Sequence, residues 1–180
     1  MPLTSRPREW ALYQPLVGSS MLELGNKKTG DKAYKPFFES LGYRHVSVDW
    51  NGRDGALKLD LRKPIDLGTF DMVTNIGTTE HVSEQAPVWR NICEAMHVGS
   101  VLISTTPIEG HWWWHGEWYP TEQFYRALAD LNGLEIERLY VEFDYPHKMI
   151  FARMIRREAR PFTMPDGLMY RNRIRPRNAH

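Results

Sequence analysis

Three acidic residues follow short apolar runs in the first third of the chain, namely Glu23, Asp49 and Asp60. Each run is typical of a β-strand, and the carboxyl ends of parallel strands meet at one edge of a sheet. A carboxylate there can accept hydrogen bonds from a ribose diol, and Trp50, beside Asp49, could lie against an adenine face. Asp60, with the backbone of Leu61, could contact the adenine amino group. Each acid alone could be a solvated loop carboxylate, but three at successive strand ends favour a shared nucleoside site.

The first acid belongs to a run of ten residues, 21–30, in which an apolar stretch leads into a turn that begins at Gly25 and ends at Gly30. Glycine tolerates positive φ and lets a ligand approach the backbone closely. A strand followed by a glycine turn and a helix is where α/β sheets bind nucleotides. An ordinary βα turn has the same pattern, so this turn indicates a site only together with the acids.

A second concentration of functional side chains spans residues 107–120. This segment holds two histidines, His111 and His115, and five aromatic residues: Trp112, Trp113, Trp114, Trp118 and Tyr119. So many rings are difficult to bury together, and exposed aromatic clusters bind flat sugar faces, bases or cationic groups. The alternative is a lid whose tryptophans pack back over the sheet, because tryptophan is mostly buried.

The same segment raises the question of a metal. His111, His115 and Glu117 are residue types that ligate divalent ions. Flanking glycines argue against a helix that would align them, and the single cysteine provides no supporting framework. We therefore predict no metal, although the sequence leaves this ligand set open.

The elements that position these residues alternate between strand and helix. Strands are predicted over residues 21–24, 45–50, 57–61, 70–77, 101–105, 134–143 and 149–156, and helices over residues 33–41, 83–97 and 121–131. The pattern predicts an α/β fold with a mostly parallel sheet, helices on both faces and an antiparallel last strand. Only a few residues separate the second and third strands, so they form either a hairpin or a parallel pair with a very short connection.

The composition limits the class of protein. A chain of 180 residues with a formal net charge of +1 is typical of one domain and not of a polyelectrolyte partner. We expect a lead-in or helix over 1–20, the main domain over 21–157 and a basic tail over 158–180. One cysteine, Cys93, excludes an intramolecular disulfide and suits a reducing compartment. No apolar run is long enough for a membrane span and the first residues do not resemble a signal peptide, so we expect a cytoplasmic protein without membrane contact.

These features together resemble the class I S-adenosylmethionine-dependent methyltransferases. Residues 23–30 look like a divergent glycine-rich first motif, Asp49 matches the ribose-binding acid, and residues 59–61 match the adenine-contacting segment. Residues 70–82, which end in Glu-His-Val, look like the fourth motif of the methyltransferase-11-like branch. The chain differs in having no central glycine between Gly25 and Gly30 and no room for a helix between the second and third strands.

The resemblance implies a Rossmann-like sheet and S-adenosyl-L-methionine as the cofactor. It places these residues at the cofactor site: Glu23, Gly25, Asn26, Gly30, Asp49, Trp50, Asp60, Leu61, Asn75, Ile76, Gly77 and Glu80. It puts His81 beside the sulfonium, which makes His81 the first candidate for the base, followed by His111 and His115. Glu80 could instead orient His81.

The resemblance also places the segment after the fifth strand on the substrate side, with Trp112, Trp113, Trp114, Trp118 and Tyr119 as acceptor contacts. The predicted acceptor is an oxygen or nitrogen of a small molecule or sugar-like compound. Two alternatives remain: a protein that binds S-adenosylmethionine with other chemistry or none, and a nucleic-acid-binding module that stacks bases on tryptophan and contacts phosphate with the arginine-rich tail. The sequence does not indicate an oligomeric state.

Overall fold

The computed structural model describes residues 10, 14–26, 28–29, 32–109, 112, 115–144 and 147–172. Four of the predicted site residues, Gly30, His111, Trp113 and Trp114, therefore lie outside the described residues. Among the described residues, no helix is long and apolar enough to span a lipid bilayer.

Eleven strands and three α-helices follow one another along the described chain. In order they are β1 (Ser20–Leu24), β2 (Lys28–Thr29), β3 (Lys32–Ala33), α1 (Tyr34–Ser40), β4 (Arg44–Asp49), β5 (Leu57–Lys58), β6 (Phe70–Ile76), α2 (Gln85–Glu94), β7 (Met96–Pro107), β8 (Trp118–Pro120), α3 (Glu122–Asn132), β9 (Leu134–Asp144), β10 (His147–Arg156) and β11 (Met169–Arg171). A short 3-10 helix, Thr79–His81, lies between β6 and α2.

Seven of these strands form one sheet in the order β5-β4-β1-β6-β7-β10-β9. Strands β5, β4, β1, β6 and β7 pair in parallel, whereas β10 pairs antiparallel with both β7 and β9. The predicted α/β fold with a mostly parallel sheet and an antiparallel last strand is confirmed. Strand β10 lies between β7 and the edge strand β9, so the final hairpin folds back into the sheet.

Apolar side chains cover both faces of the sheet. Within β1, Leu22 and Leu24 contribute to the cluster that contains α2 and α3, whereas Met21 contributes to the cluster that contains α1. This alternation follows from the two-residue period of a strand. The prediction of helices on both faces is therefore confirmed. The central strand β1 shows no strict alternation of apolar and polar residues because both of its faces are buried.

Strands β4 and β5 form the parallel pair with a very short connection, which is one of the two predicted alternatives. Val48 pairs with Leu57 in parallel register, and the residues between the two strands contain no helix. The third strand was predicted to reach residue 61 but ends at Lys58. Beyond it, Asn91 of α2 donates hydrogen bonds to the carbonyl oxygens of Leu61 and Lys63, both at 2.9 Å, and these contacts replace strand pairing.

Helix α2 is shorter than predicted at both ends. The helix was predicted to start at Ser83 but begins at Gln85, whose side chain donates to the carbonyl oxygens of Thr79 at 2.8 Å and Val82 at 2.6 Å. At the other end, Arg156 of β10 donates to the carbonyl oxygen of Cys93 and, at 2.9 Å, to that of Met96. The guanidinium satisfies carbonyls at the helix end. The helix therefore ends at Glu94 instead of the predicted residue 97, and β7 begins at Met96.

Helix α3 is delimited as the sequence predicts. The Thr121 hydroxyl accepts a hydrogen bond from the amide of Phe124 at 3.1 Å, and Gly133 takes the left-handed conformation, φ 68°, after the last turn. Beyond β10, the side chain of Asn132 donates to the carbonyl of Thr163 and accepts from its amide. These bonds hold the segment that leads to β11, which pairs with β8.

Candidate active site

Asp49 occupies the end of β4, where its carboxylate is fixed by backbone amides. The Asn26 amide donates to Oδ2 at 3.0 Å and the Asn51 amide donates to Oδ1 at 2.8 Å. The Gly25 amide bonds the Val48 carbonyl at 2.8 Å, so the turn after β1 is fastened to β4. A carboxylate can accept about four hydrogen bonds, and within the described residues each oxygen therefore keeps the capacity to accept one from a ligand.

Gly25 also joins this turn to the loop after β6. Its φ is 74°, and a Cβ placed on it would lie 2.3 Å from Oγ1 of Thr78, so no other residue fits without displacing that side chain. The same hydroxyl of Thr78 donates to the Leu24 carbonyl at 2.7 Å. The carboxyl ends of β1, β4 and β6 are thus held together at one edge of the sheet. We call Gly25, Asn26, Asp49, Trp50 and Asp60 the Asp49 edge.

Asp60 is paired within the protein. Arg62 donates to both carboxylate oxygens, at 2.9 Å from Nε and 2.8 Å from Nη2. This contact lowers the pKa of Asp60 to about 2, so the group is ionised at neutral pH. The guanidinium lies 5.9 Å from the centre of the Trp50 ring, which is 65% exposed. Trp50 therefore offers an aromatic surface beside Asp49, as the nucleoside hypothesis requires.

Three side chains meet at the carboxyl ends of β6 and β7. Oε1 of Glu80 lies 3.5 Å from Nε2 of His115 and 3.9 Å from Nε2 of His81. The Glu80 side chain is fully buried and that of His115 nearly so, whereas 46% of the His81 side chain is exposed. The two imidazole rings are 4.6 Å apart in an edge-to-face arrangement. We call Glu80, His81 and His115 the histidine cluster; its exposed member can exchange a proton with a bound molecule.

The backbone around the histidine cluster is closely packed. The Glu117 amide donates to the Glu80 carbonyl at 2.8 Å. A Cβ on Gly116 would lie 2.9 Å from side-chain carbons of Glu80, so this contact requires glycine. The segment that carries His115 is therefore fastened directly to the short helix that carries Glu80 and His81.

No protein-family model matches the sequence, and no curated protein matches it. Solved structures do match. A TehB-like S-adenosylmethionine-dependent methyltransferase from Corynebacterium glutamicum is 16% identical, with a TM-score of 0.60 over 86% of this chain and 89% of that one. The N-methyltransferase NodS from Bradyrhizobium japonicum, in complex with S-adenosyl-l-homocysteine, is 16% identical, with a TM-score of 0.61 over 86% and 85%.

A third match is the 1,6-didemethyltoxoflavin-N1-methyltransferase of Burkholderia thailandensis, solved with 1,6-didemethyltoxoflavin and S-adenosylhomocysteine. It is 14% identical, with a TM-score of 0.58 over 86% of this chain and 76% of that one. This chain has the class I S-adenosylmethionine-dependent methyltransferase fold. The resemblance is therefore confirmed at the level of the fold, whereas the branch remains a prediction.

Within this methyltransferase fold, Glu23 lies behind the Asp49 edge rather than on it. Its carboxylate is fully buried, with Oε2 at 3.1 Å from Nε2 of the equally buried His45. The His45 ring stacks on Phe38 of α1 at 5.9 Å. The side chain of Glu23 points into the layer between the sheet and α1, because strand alternation directs it to the same face as Met21.

The predicted residues at the end of β6 support the histidine cluster. The side-chain amide of Asn75 is buried; its nitrogen donates to Oγ1 of Thr79 at 3.0 Å and to Oγ of Ser104 at 2.9 Å, and its oxygen accepts from the Thr79 amide at 3.1 Å. These bonds join β6, β7 and the short helix. Ile76 is buried in the core and the Gly77 amide bonds the Thr105 carbonyl. Leu61, at the Asp49 edge, also packs into the core.

The described aromatic residues of 107–120 pack against the domain. Trp112 stacks on His115 at 3.8 Å and on His147 at 4.2 Å, and its carbonyl accepts from the hydroxyl of Tyr119 at 2.7 Å. Tyr119 is buried, which raises the pKa of its hydroxyl. Trp118 is half-buried and donates to the carbonyl of Ser83 at 3.0 Å. For these residues the lid alternative describes the packing better than an exposed cluster does.

The structure groups the candidate ligands differently from the set considered in the sequence. Glu117 accepts from Arg171 of β11, at 2.6 Å from Nη2 and 3.0 Å from Nε, and His115 lies instead beside Glu80. His147, which stacks on Trp112, was not among the predicted site residues. The sequence signal for His147 was its position just before the predicted last strand, residues 149–156. Strand β10 starts beside the end of β7, with Met149 opposite Pro107.

Proposed function

We propose that this protein is an S-adenosylmethionine-dependent methyltransferase that methylates an oxygen or nitrogen of a small-molecule or sugar-like acceptor. One observation carries the proposal: in a methyltransferase fold, the Asp49 edge and the histidine cluster lie at the same side of the sheet, joined through Thr78. The Thr78 hydroxyl donates to the Leu24 carbonyl, next to the turn at Gly25. Glu80 of the histidine cluster follows Thr78 by two positions in the chain. A nucleoside-binding half and a proton-accepting half therefore adjoin.

The residues of the Asp49 edge fit the nucleoside part of the cofactor. Asp49 keeps acceptor capacity on both oxygens for the ribose hydroxyls, and the exposed ring of Trp50 can cover adenine. Asp60 is ionised and lies at the same edge, where its carboxylate can accept a hydrogen bond from a ligand as well as those from Arg62. Asn26 and Gly25 provide backbone close to the ligand, and Gly30 belongs to the same proposed set. When bound, the cofactor supplies an electrophilic methyl group on a sulfonium.

The methyl-transfer step assigns a role to the histidine cluster. In methyl transfer the lone pair of the acceptor would bond to the methyl carbon that S-adenosylmethionine supplies, and the electron pair of the broken carbon–sulfur bond would remain on sulfur. The acceptor proton passes to Nε2 of His81, the exposed imidazole of the cluster. Glu80 stabilises the imidazolium that results, and His115 is the second candidate base. His111 is a third candidate on the sequence pattern alone.

The tryptophan segment supports a planar or ring-shaped acceptor. Trp112 and Trp118 are half-buried and lie on the same segment as His115, where they can form apolar walls around the acceptor. The proposed set of acceptor contacts also includes Trp113, Trp114 and Tyr119. Tyr119 is buried and contributes indirectly, because its hydroxyl donates to the Trp112 carbonyl. One of the similar structures contains the small heterocycle 1,6-didemethyltoxoflavin, which supports an acceptor of this size. The single buried cysteine is consistent with a cytoplasmic protein.

Calorimetric titration of the purified protein with S-adenosylmethionine and S-adenosylhomocysteine tests the cofactor. We expect saturable binding of one ligand per chain. Asp49→Ala should weaken it about 100-fold, because two hydrogen bonds to a charged group contribute roughly 3 kcal/mol in sum. Asp66→Ala is the matched control, since Asp66 is an exposed acid outside the edge. No binding at millimolar ligand by a sample with an intact thermal transition would overturn the proposal.

A second measurement separates an enzyme from a protein that only binds the cofactor. Candidate acceptors bearing a hydroxyl or amine on a ring are incubated with S-adenosylmethionine, and the release of S-adenosylhomocysteine is followed. Acceptor-dependent release supports methyl transfer. Cofactor binding without release for any acceptor of this class contradicts the proposed acceptor and favours other chemistry.

A further inference from the structure

The histidine cluster has the composition of a metal site. It contains two imidazoles and one carboxylate, and one ligand atom from each of Glu80, His81 and His115 lies within 4.8 Å of the others. Two imidazoles with a carboxylate form a common donor set for divalent transition ions, and leave coordination positions open to other molecules. Lysine and arginine, which would compete with a cation, are not among the three residues.

The distances are close to those that an ion imposes. A divalent ion bound about 2.0–2.2 Å from nitrogen and oxygen ligands holds those ligand atoms roughly 3.0–3.5 Å apart. Here Nε2 of His115 is 3.5 Å and Nε2 of His81 is 3.9 Å from Oε1 of Glu80. The exposed His81 side chain must move toward Glu80 to complete the set, whereas His115 is already within 3.5 Å of the carboxylate oxygen.

The ring nitrogen of His115 points to a ligand. This Nε2 atom is buried and makes no hydrogen bond within the described part of the chain, although it lies 3.5 Å from a carboxylate oxygen. A buried polar atom normally has a partner. A metal ion between the imidazole and Glu80 would be that partner, and its charge would offset the cost of burying a carboxylate.

The surroundings hold His115 in the orientation that ligation needs. Its ring is stacked on Trp112 at 3.8 Å and 15°, and Trp112 is in turn stacked on His147 at 4.2 Å and 6°. The Trp112 carbonyl accepts from the His115 amide and from the Tyr119 hydroxyl, which closes the turn. Contacts behind a ligand that fix its ring are a feature of metal sites.

We propose that Glu80, His81 and His115 bind one divalent transition-metal ion, through a carboxylate oxygen and two Nε2 atoms. Because the His81 side chain is exposed, an acceptor oxygen or nitrogen could reach an ion held there. The role of the ion rests on the proposed methyl transfer. The ion would lower the pKa of an acceptor hydroxyl, whose proton would leave to water. The resulting oxygen anion would bond to the methyl carbon while the carbon–sulfur bond breaks. His81 then acts as a ligand, whereas in the metal-free protein it acts as the base.

The first test is binding of the metal alone to the full chain. Cobalt(II) is titrated and its visible absorption recorded, and zinc(II) and manganese(II) are titrated by calorimetry. We expect one ion per chain and at least a 100-fold weaker affinity in His81→Ala and His115→Ala, beyond the roughly 10- to 100-fold that changes behind a ligand cause. His97→Ala is the matched control, because His97 is an exposed histidine whose ring contacts Asp71 instead.

Glu80→Gln supplies an independent variant of nearly equal volume that removes the charged ligand, and its thermal transition shows whether it folds. Magnesium should bind far more weakly than cobalt, since imidazole is a poor ligand for it. Unchanged cobalt binding in both His81→Ala and His115→Ala, or no binding at millimolar cobalt, overturns the site. Loss in His111→Ala with retention in those two variants also overturns it.

The same samples are titrated with S-adenosylhomocysteine. Metal binding without cofactor binding would refute the methyltransferase proposal and leave the metal site intact. Cofactor binding without metal binding would refute the metal site and leave the histidine-base mechanism. Stimulation of acceptor-dependent turnover by the ion, lost in His115→Ala, supports both.

Discussion

The carboxylate of Asp60, at the Asp49 edge, is partly exposed, whereas the carboxylate of Glu80, in the histidine cluster, is fully buried. Asp60 is paired with Arg62, whose side chain is 42% exposed, and the neighbouring Trp50 ring is 65% exposed. Glu80, in contrast, is fully buried and the His115 side chain is 11% exposed. The two regions adjoin on one sheet, yet water screens the ion pair of Asp60 and is excluded from the carboxylate of Glu80.

The difference has a physical consequence for what each region can do. Exposed ion pairs contribute little free energy because water screens them, so Asp60 and Trp50 can change partners when a ligand arrives. A buried carboxylate beside two imidazoles interacts strongly and keeps its geometry. We propose that Trp50 and Asp60 contribute adjustable contacts beside the fixed carboxylate of Asp49, and that Glu80 and His115 form the fixed part of the histidine cluster.

The largest effect that would separate the two regions is expected from His81→Ala. Turnover should fall at least about 100-fold, because the change removes either the base or a metal ligand, while affinity for S-adenosylhomocysteine should stay within about twofold. The measurements are the rate of S-adenosylhomocysteine release with a validated acceptor and calorimetry on the same sample. His97→Ala is the control. If cofactor affinity fell in parallel with turnover, the separation into two regions would be wrong.

An intermediate effect is expected at the recognition side from Trp50→Ala. Affinity for the cofactor should fall about fivefold to tenfold, the equivalent of about 1 kcal/mol for one stacking contact, with turnover unchanged at saturating cofactor. Leu57→Ala is matched to it, since Leu57 is an exposed apolar residue of β5, and it should have no effect. If the affinity for the cofactor fell equally in Trp50→Ala and Leu57→Ala, the effect would come from a general change of the surface rather than from stacking.

The smallest effect concerns the pH dependence of stability at Asp60. Its folded pKa, about 2, lies below the ordinary value of 3.8, so the pair with Arg62 stabilises the fold above about pH 4 and loses that contribution as the pH falls toward 2. Because the pair is partly exposed, we expect less than about 1 kcal/mol. Denaturant unfolding of Asp60→Asn should show this difference at neutral pH and none at pH of about 2. A difference that persists in acid would mean that the carboxylate acts through another contact.

The elements that the sequence predicted well are defined by nearby residues. Strand β1, the end of β4 at Asp49, and α3 between Thr121 and Gly133 all follow from periodicity, capping and turn residues that lie within a few positions. The end of α2 was predicted less well because Arg156, far away in the chain, satisfies its last carbonyls. The structure places those proposed site residues that it describes, while their roles in binding and catalysis remain proposals.

Local patterns in the sequence were enough to predict the seven strands of the main sheet, the three helices and the chemically active residues after the strands, but not the short strands β2, β3, β8 and β11. Three further features depend on long-range contacts: β5 pairs in parallel with β4, Glu23 turns inward to His45, and His115 meets Glu80 rather than Glu117. The face that a strand residue occupies and the partner that it meets depend on the packing of distant segments. A strand buried on both faces carries no alternation to reveal either of them in advance.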